Sequence, residues 1–262
     1  MHSIVEQNLR TAMRAYALAG GASEAREYPG VTLAFSGLDV PVFNSAMLTG
    51  HTEDIERMIC TADIHFGARK VGWTFWVCED LLPANLRNSA LQNIFQSKGM
   101  RRIAEPPGMY ADSIASPSKP PARMTFARVE SAQTRMEFAH LASFVFSLHL
   151  GVSKRIYAAT EMWAPPSYGW IGYFEGKPVA LVTVVISGGA AGVYSLGTLP
   201  QHQGCGFGET LLRHALEDAR RLSGIECSVL QATTQGMSLY LRLGYRVVTK
   251  FSIYLREGCA TF

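Results

Sequence analysis

Apolar residues recur at helical spacing from Val5 to Leu18, with Glu6, Arg10 and Arg14 interrupting them. Val31 to Ser36 and Pro41 to Leu48 are strand-like. Asp54 to Phe66 is helical and starts after Thr52, whose hydroxyl can cap an N-terminus. Trp73 to Cys78 is aromatic and β-branched, as a buried strand requires. Ala84 to Lys98 reads as a helix stopped by Gly99. A Ser- and Pro-rich stretch from Ser113 to Arg123 follows, and its prolines, which cannot donate backbone hydrogen bonds, make it the linker candidate.

Beyond it, Ala132 to His149 reads as one helix. Trp170 to Phe174 and Val179 to Ser187 are strands joined by the hairpin signal Glu175-Gly176-Lys177-Pro178. Gly188-Gly189 turns the chain into a third strand, Val193 to Thr198. A helix from about Gly208 to Leu222, a strand from Cys227 to Gln231 and a helix from about Met237 to Leu243 come next. Two short strands close the chain, Arg246 to Val248 and Phe251 to Leu255. Strands alternating with helices after an antiparallel start predict a mixed α/β sheet covered on both faces. Phe95 to Ile103 also lines up with Tyr240 to Val248, each following a strand and a helix and leading into an extended segment. The alignment suits either a duplicated fold or the common habit of ending a helix at Gly.

Composition narrows the function classes. Hydrophobic residues are 48% of the 262 and charged ones 17%, an ordinary globular balance. The net charge of +3 is spread along the chain without a Lys/Arg run, which argues against nucleic-acid and membrane-surface partners. The longest apolar run, Val179 to Ile186, is too short to span a bilayer. Near the N-terminus the charges at Glu6, Arg10 and Arg14 leave no signal-peptide core, so a cytoplasmic protein is expected. Five cysteines (Cys60, Cys78, Cys205, Cys227 and Cys259) show no C-x-x-C spacing and read as free thiols, with no metal site.

The chemistry concentrates in Tyr194-Ser-Leu-Gly-Thr-Leu-Pro-Gln-His-Gln-Gly-Cys-Gly-Phe-Gly-Glu-Thr-Leu-Leu212. A strand enters a loop with glycines at 204, 206 and 208, and an amphipathic helix follows at once. Such a loop exposes successive backbone N–H groups at the positive end of a helix dipole, and a pyrophosphate fits there. The loop ends Gly-Glu-Thr, which excludes a Walker P-loop, and Glu209 and Leu211 break a dinucleotide fingerprint.

Here the sequence resembles the GNAT superfamily of acyl-CoA N-acyltransferases. That family's signature is Gln or Arg, two residues, Gly, one residue, then Gly or Ala, and Gln203-Gly-Cys-Gly-Phe-Gly208 fulfils it. The resemblance runs from about Trp170 to Leu255 through Val229-Leu-Gln-Ala-Thr233 and Tyr240-Leu-Arg-Leu-Gly-Tyr245. It implies a GNAT fold in which backbone groups of Leu196, Gly197 and Thr198 pair with the pantetheine arm of acetyl-CoA. Gln203, Gly204, Cys205, Gly206, Phe207, Gly208 and Glu209 would form the pyrophosphate loop. The amide near Leu196 would polarise the thioester carbonyl, and Tyr240 would protonate the departing thiolate; its other reading is a core aromatic.

No general base stands out among Glu161, Glu175 and His149. Trp163, Pro165, Pro166 and Tyr168 precede the central strands, where related enzymes place acceptor loops; surface packing explains them equally well. The N-terminal half has no comparable glycine loop before the helix near Glu53, and it has Phe95 in the place of Tyr240. It resembles a degenerate GNAT lobe, giving lobes at 1–118 and 119–262. The expected reaction is transfer of an acetyl or other short acyl group to a small-molecule amine, without an acyl-enzyme and without a metal. A homodimer is compatible with this reading. The rival functions are an acyl-carrier-protein-dependent N-acyl amino acid synthase and a non-catalytic CoA-binding regulator.

Overall fold

The computed structural model describes residues 1–118 and 120–258. The first half contributes α1 (His2–Leu18), β1 (Glu24–Tyr28), β2 (Val31–Phe35), β3 (Ser45–Leu48), α2 (Ile55–Gly67), β4 (Trp73–Cys78), α3 (Ser89–Ser97), β5 (Arg101–Ala104) and β6 (Pro107–Ala111). The second contributes β7 (Thr125–Arg128), α4 (Ala132–Val145), α5 (Leu150–Tyr157), β8 (Ser167–Phe174), β9 (Lys177–Ser187) and β10 (Ala190–Thr198). It continues through α6 (Phe207–Ser223), β11 (Ser228–Gln231), α7 (Met237–Arg242) and β12 (Arg246–Arg256).

The expected mixed sheet forms. Among the described residues its twelve strands run β1-β2-β3-β4-β12-β6-β11-β10-β9-β8-β7, with β5 alongside β12. Each half is built alike: an antiparallel run, one parallel pair (β3 with β4, β10 with β11), then a strand lent by the other half. β6 lies antiparallel between β11 and the first part of β12, with Met109 opposite both Leu230 and Val247. In return the second part of β12 lies between β4 and β5, with Tyr254 opposite Phe75 and Arg102. The two short strands expected at the C-terminus are therefore one strand, bulged between Val247 and Thr249, that pairs with β6 as far as Lys250 and with β4 from Phe251. Within the linker candidate, the Ala122 amide donates to Thr210 Oγ1 of α6 (3.0 Å) and the Ala115 carbonyl accepts from Arg213 of α6.

Side chains of β9 alternate between two cores, as period-2 geometry demands. Val182 and Val184 pack with Leu211, Leu212 and Ala215 of α6. Leu181 and Val185 pack with Phe138 and Ala142 of α4, Ile156 of α5, and Ala12 and Tyr16 of α1. Fully burying side chains of this size contributes roughly 1.5–3 kcal/mol each.

Three helix expectations needed correction, and the strand read from Pro41 to Leu48 opens as a 3-10 turn at Pro41–Phe43 before β3. The helix read from Ala132 to His149 breaks after Val145, because Ser147 takes a φ of 53° and His149 Nδ1 caps α5 by accepting from the Gly151 amide (3.2 Å). The helix read from Ala84 to Lys98 is a 3-10 turn at Ala84–Leu86 followed by α3, parted by Asn88 at φ 57°. Asp54, not Thr52, caps α2 by accepting from the Arg57 amide (3.1 Å), while Thr52 Oγ1 accepts from the Asp54 amide (3.1 Å). Cys60, Cys78, Cys205 and Cys227 are free thiols; Cys259 lies outside the described residues. Among the described residues no helix is long and apolar enough to cross a membrane, and no group of three or more His, Cys, Asp or Glu side chains is arranged for a metal.

Candidate active site

Two features meet at the end of β10. First, β10 and β11 pair only at Ala191 with Ser228 and Gly192 with Val229. Beyond those pairs the two strands part, although β10 runs on to Thr198 and β11 to Gln231. A bulge accompanies the parting: Tyr194 sits opposite Thr183 and Gly197 opposite Leu181, so Ser195 and Leu196 together face Val182. Ser195 carries the strain of this irregularity at a φ of 46°.

Second, the chain turns through Pro200–His202 into the glycine loop. Gly204 and Gly206 have φ of 77° and 82°, the left-handed region that glycine enters without a side-chain penalty. The first helical bond of α6 runs from the Thr210 amide to the Gly206 carbonyl (3.0 Å). None of the six amides from Gly204 to Glu209 donates to a protein acceptor among the described residues. Six successive unpaired N–H groups at the positive end of a 17-residue helix form an anion cradle.

Neighbouring side chains hold this loop in shape. Phe207 is buried against Phe174, with ring centroids 5.1 Å apart. Gln203 Nε2 donates to the Thr198 carbonyl (3.3 Å), and its Oε1 accepts from Gln235 Nε2 (3.5 Å), tying the loop to the approach of α7. The Glu209 carboxylate is occupied by Arg213 one turn on (2.9 Å), which offsets a negative charge that would repel an anion. Cys205 is exposed and its thiol is 3.7 Å from the Gln203 carbonyl. Gly208 lies inside the first turn of α6, where an added Cβ would stand 3.2 Å from Thr198 Oγ1.

Tyr240 projects from α7 into the core shared with Phe207, Leu211 and Leu230. Its ring meets Tyr245 edge-on at 5.7 Å. Burial pushes its phenol up to about 12, so the group stays protonated throughout the neutral range. At the end of β11 the Gln231 side-chain nitrogen is buried without a partner among the described residues. Sequence reasoning gave Gln231 no role; a polar side chain ending an apolar strand was its only signal.

The remaining sequence candidates lie elsewhere or are engaged in packing. His149 caps α5, Glu175 occupies the β8–β9 turn, and Glu161 borders a cavity of about 570 Å³ at the C-terminal ends of α1 and α5. Trp163 packs on Phe138 (4.8 Å) and donates its indole N–H to the Tyr157 carbonyl (2.8 Å). The Arg128 guanidinium lies over Tyr168, 4.8 Å from the ring centroid.

The corresponding place in the first half is built differently. After β3 the Thr52 amide donates to the Leu81 carbonyl (3.1 Å), joining the loops that follow β3 and β4. Asp54 occupies the α2 N-terminus with its own carboxylate, flanked by Glu53 and Glu56. Phe95 is fully buried and stacks on Tyr254 at 3.8 Å.

A parted parallel strand pair beside an amide-lined helix start makes an anion-binding cleft in a mixed α/β sheet. Residues 138–245 match the model of the acetyltransferase (GNAT) family. A GCN5-related N-acetyltransferase from Kribbella flavida has the same fold over 96% of each chain, at 19% identity and a TM-score of 0.70. A functionally unknown conserved protein from Staphylococcus epidermidis matches at 14% identity and a TM-score of 0.64, over 90% of this chain and 95% of its own. A tandem GNAT protein from the clavulanic acid biosynthesis pathway matches at 15% identity and a TM-score of 0.56, over 87% of this chain and 78% of its own. At such identities the likeness is one of fold. No curated protein sequence matches the chain.

Proposed function

We propose that the chain is a cytoplasmic N-acyltransferase that moves an acetyl or other short acyl group from acyl-CoA directly to the amine of a small molecule. It is read as two GNAT-like lobes, 1–118 and 119–262, locked together by the exchanged strands, with the site in the second. The observation that carries the proposal is the run of unpaired amides from Gly204 to Glu209 beside the gap between β10 and β11. Those amides suit a pyrophosphate, and the edge of β10 from Leu196 to Thr198, unpaired with β11, suits the amide-bearing pantetheine arm, as an added strand would. Gln231 has a side-chain amide to spare for a carbonyl on that arm. The Leu196 amide, on the bulge, would take hydrogen-bonding duty at the thioester carbonyl as negative charge grows there. The amine attacks the thioester carbon directly; as the C–N bond forms and the C–S bond breaks, Tyr240 supplies a proton to the leaving sulfur, and the proton lost by the amine passes through water and restores the phenol.

Titration calorimetry with acetyl-CoA is expected to saturate at one molecule per chain, because Asp54 already occupies the α2 N-terminus in the first lobe. Thiol release measured across a panel of small amines should find an acceptor. Binding of acetyl-CoA with no thiol release from any amine would instead mark a regulator, and turnover only with acylated carrier protein would mark a carrier-dependent synthase.

Tyr240→Phe keeps the ring packed on Tyr245 and deletes only the hydroxyl. Turnover at saturating substrates should fall roughly ten- to a thousandfold, within or below the usual range for a positioned acid, since a thiolate leaves readily even unaided. Acetyl-CoA affinity should be unchanged, as the loop amides are untouched. Wild-type turnover with chemistry rate-limiting would return Tyr240 to a packing role.

A further inference from the structure

Ser195, the residue that makes the β10 bulge, is held from two sides. Its hydroxyl lies 2.7 Å from the Tyr16 hydroxyl of α1 and 3.2 Å from the Tyr157 hydroxyl of α5. Both tyrosines are buried, and their rings meet edge-on at 6.1 Å. Tyr157 is wedged further by Phe138 at 5.1 Å and by the Trp163 indole on its carbonyl. α1 in turn is fastened to the β9–β10 hairpin by Asn8, whose side-chain nitrogen donates to the carbonyls of Val185, Ser187 and Ala190. The three hydroxyls thus sit on well-fixed supports from three elements far apart in the chain.

Serine does not favour a φ of 46°, and without support the bulge would relax toward regular pairing with β9. Relaxation by one residue would turn the next amide, that of Leu196, away from its present direction. Phenylalanine rings would fill the same space; only the hydroxyls can grip the Ser195 side chain.

We infer that Tyr16 and Tyr157 are positioning residues for acyl transfer: through Ser195 they hold the β10 bulge so that the Leu196 amide meets the thioester carbonyl. The inference rests on the acyl site proposed above. It makes the first helix of the chain, which lies outside the glycine-loop half, a structural part of the reaction centre.

The test is isotope-edited infrared spectroscopy of [1-13C]acetyl-CoA bound to the full chain, which needs no acceptor. In the wild type the carbonyl stretch should move to lower frequency than in free acetyl-CoA, the signature of a hydrogen-bonded thioester. In Tyr16→Phe/Tyr157→Phe at least half of that displacement should vanish. With the amine that best releases thiol, kcat should fall about tenfold or more while KM for acetyl-CoA stays within about threefold, because the loop amides still bind it. Ser195→Ala removes the grip while leaving both rings packed, and should reproduce these losses even if the double variant fails to fold. Ser195→Gly added to the double variant should restore part of the displacement, since glycine takes this φ freely. An unchanged carbonyl frequency and kcat in folded Ser195→Ala would overturn the role of the tyrosines. An undisplaced carbonyl in the wild-type complex would overturn the assignment of the Leu196 amide, and this inference with it.

Discussion

Gly206→Val should lower acetyl-CoA affinity by roughly a hundredfold to a thousandfold while leaving the protein folded. Gly206 is the residue before α6, at a φ of 82° that a β-branched side chain cannot hold without severe strain. The valine variant must move the backbone out of that region, and the amides on either side of it move too. Losing two charge-assisted hydrogen bonds to a pyrophosphate, at roughly 1.5–3 kcal/mol each, accounts for a change of that size. The fold should survive because a Cβ at position 206 would meet nothing within 4 Å. Calorimetry on the variant, with circular dichroism to verify folding, decides the matter. Wild-type affinity in a folded Gly206→Val would mean that the pyrophosphate does not sit on this loop.

Asn8→Leu should destabilise the protein by about 3–5 kcal/mol, lowering the thermal midpoint by on the order of 10 °C. The Asn8 side chain is fully buried and bonded on every side: the two hydrogens of its nitrogen are shared among three carbonyls at 2.8–3.0 Å and its oxygen accepts from the Tyr194 hydroxyl at 2.7 Å. Leucine fills a similar volume and satisfies none of these groups, and unsatisfied buried acceptors cost about 1–3 kcal/mol each, though not additively. The site has no room to adapt, since a Cβ on neighbouring Gly192 would stand 1.7 Å from the Asn8 oxygen. Asn8→Asp should be destabilised too, because it turns an acceptor toward three carbonyls. Urea denaturation monitored by tryptophan fluorescence gives the measurement; a loss below about 1 kcal/mol, near the net worth of one hydrogen bond, would show that the carbonyls find other partners.

These two residues also show what kind of information the chain displays openly. The glycine loop was legible because its chemistry is local. Glycine spacing, the following amphipathic helix and the preceding strand lie within twenty or so residues, and backbone conformation there depends on the residues themselves. Asn8 offered no such signal. It reads as an ordinary polar position on an amphipathic helix, and its partners lie 177 to 186 residues away.

Strands show the same division. Trp73–Cys78 and Lys177–Ser187 were recognisable from their apolar, β-branched runs, because both are buried. β1, β5 and β7 were missed: two of them are the outermost strands of the sheet and β5 only flanks β12, and all three carry charged residues that mask any alternation. β6 was missed because it opens with Pro107-Gly108, a turn signal, although it runs through the middle of the sheet.

The sequence by itself determined the type of most elements, the mixed α/β class, and a glycine loop leading into α6. Each follows from periodicity and backbone preference over a short window. Only the tertiary structure decided that β6 and β12 cross between the halves, that α1 packs into the second half, and that Ser195 forms the bulge. Strand exchange leaves each strand's own pattern unchanged, since a backbone edge pairs equally well with either neighbour. The bulge, likewise, exists because Tyr16 and Tyr157 arrive from distant segments to hold a conformation that Ser195 does not prefer alone.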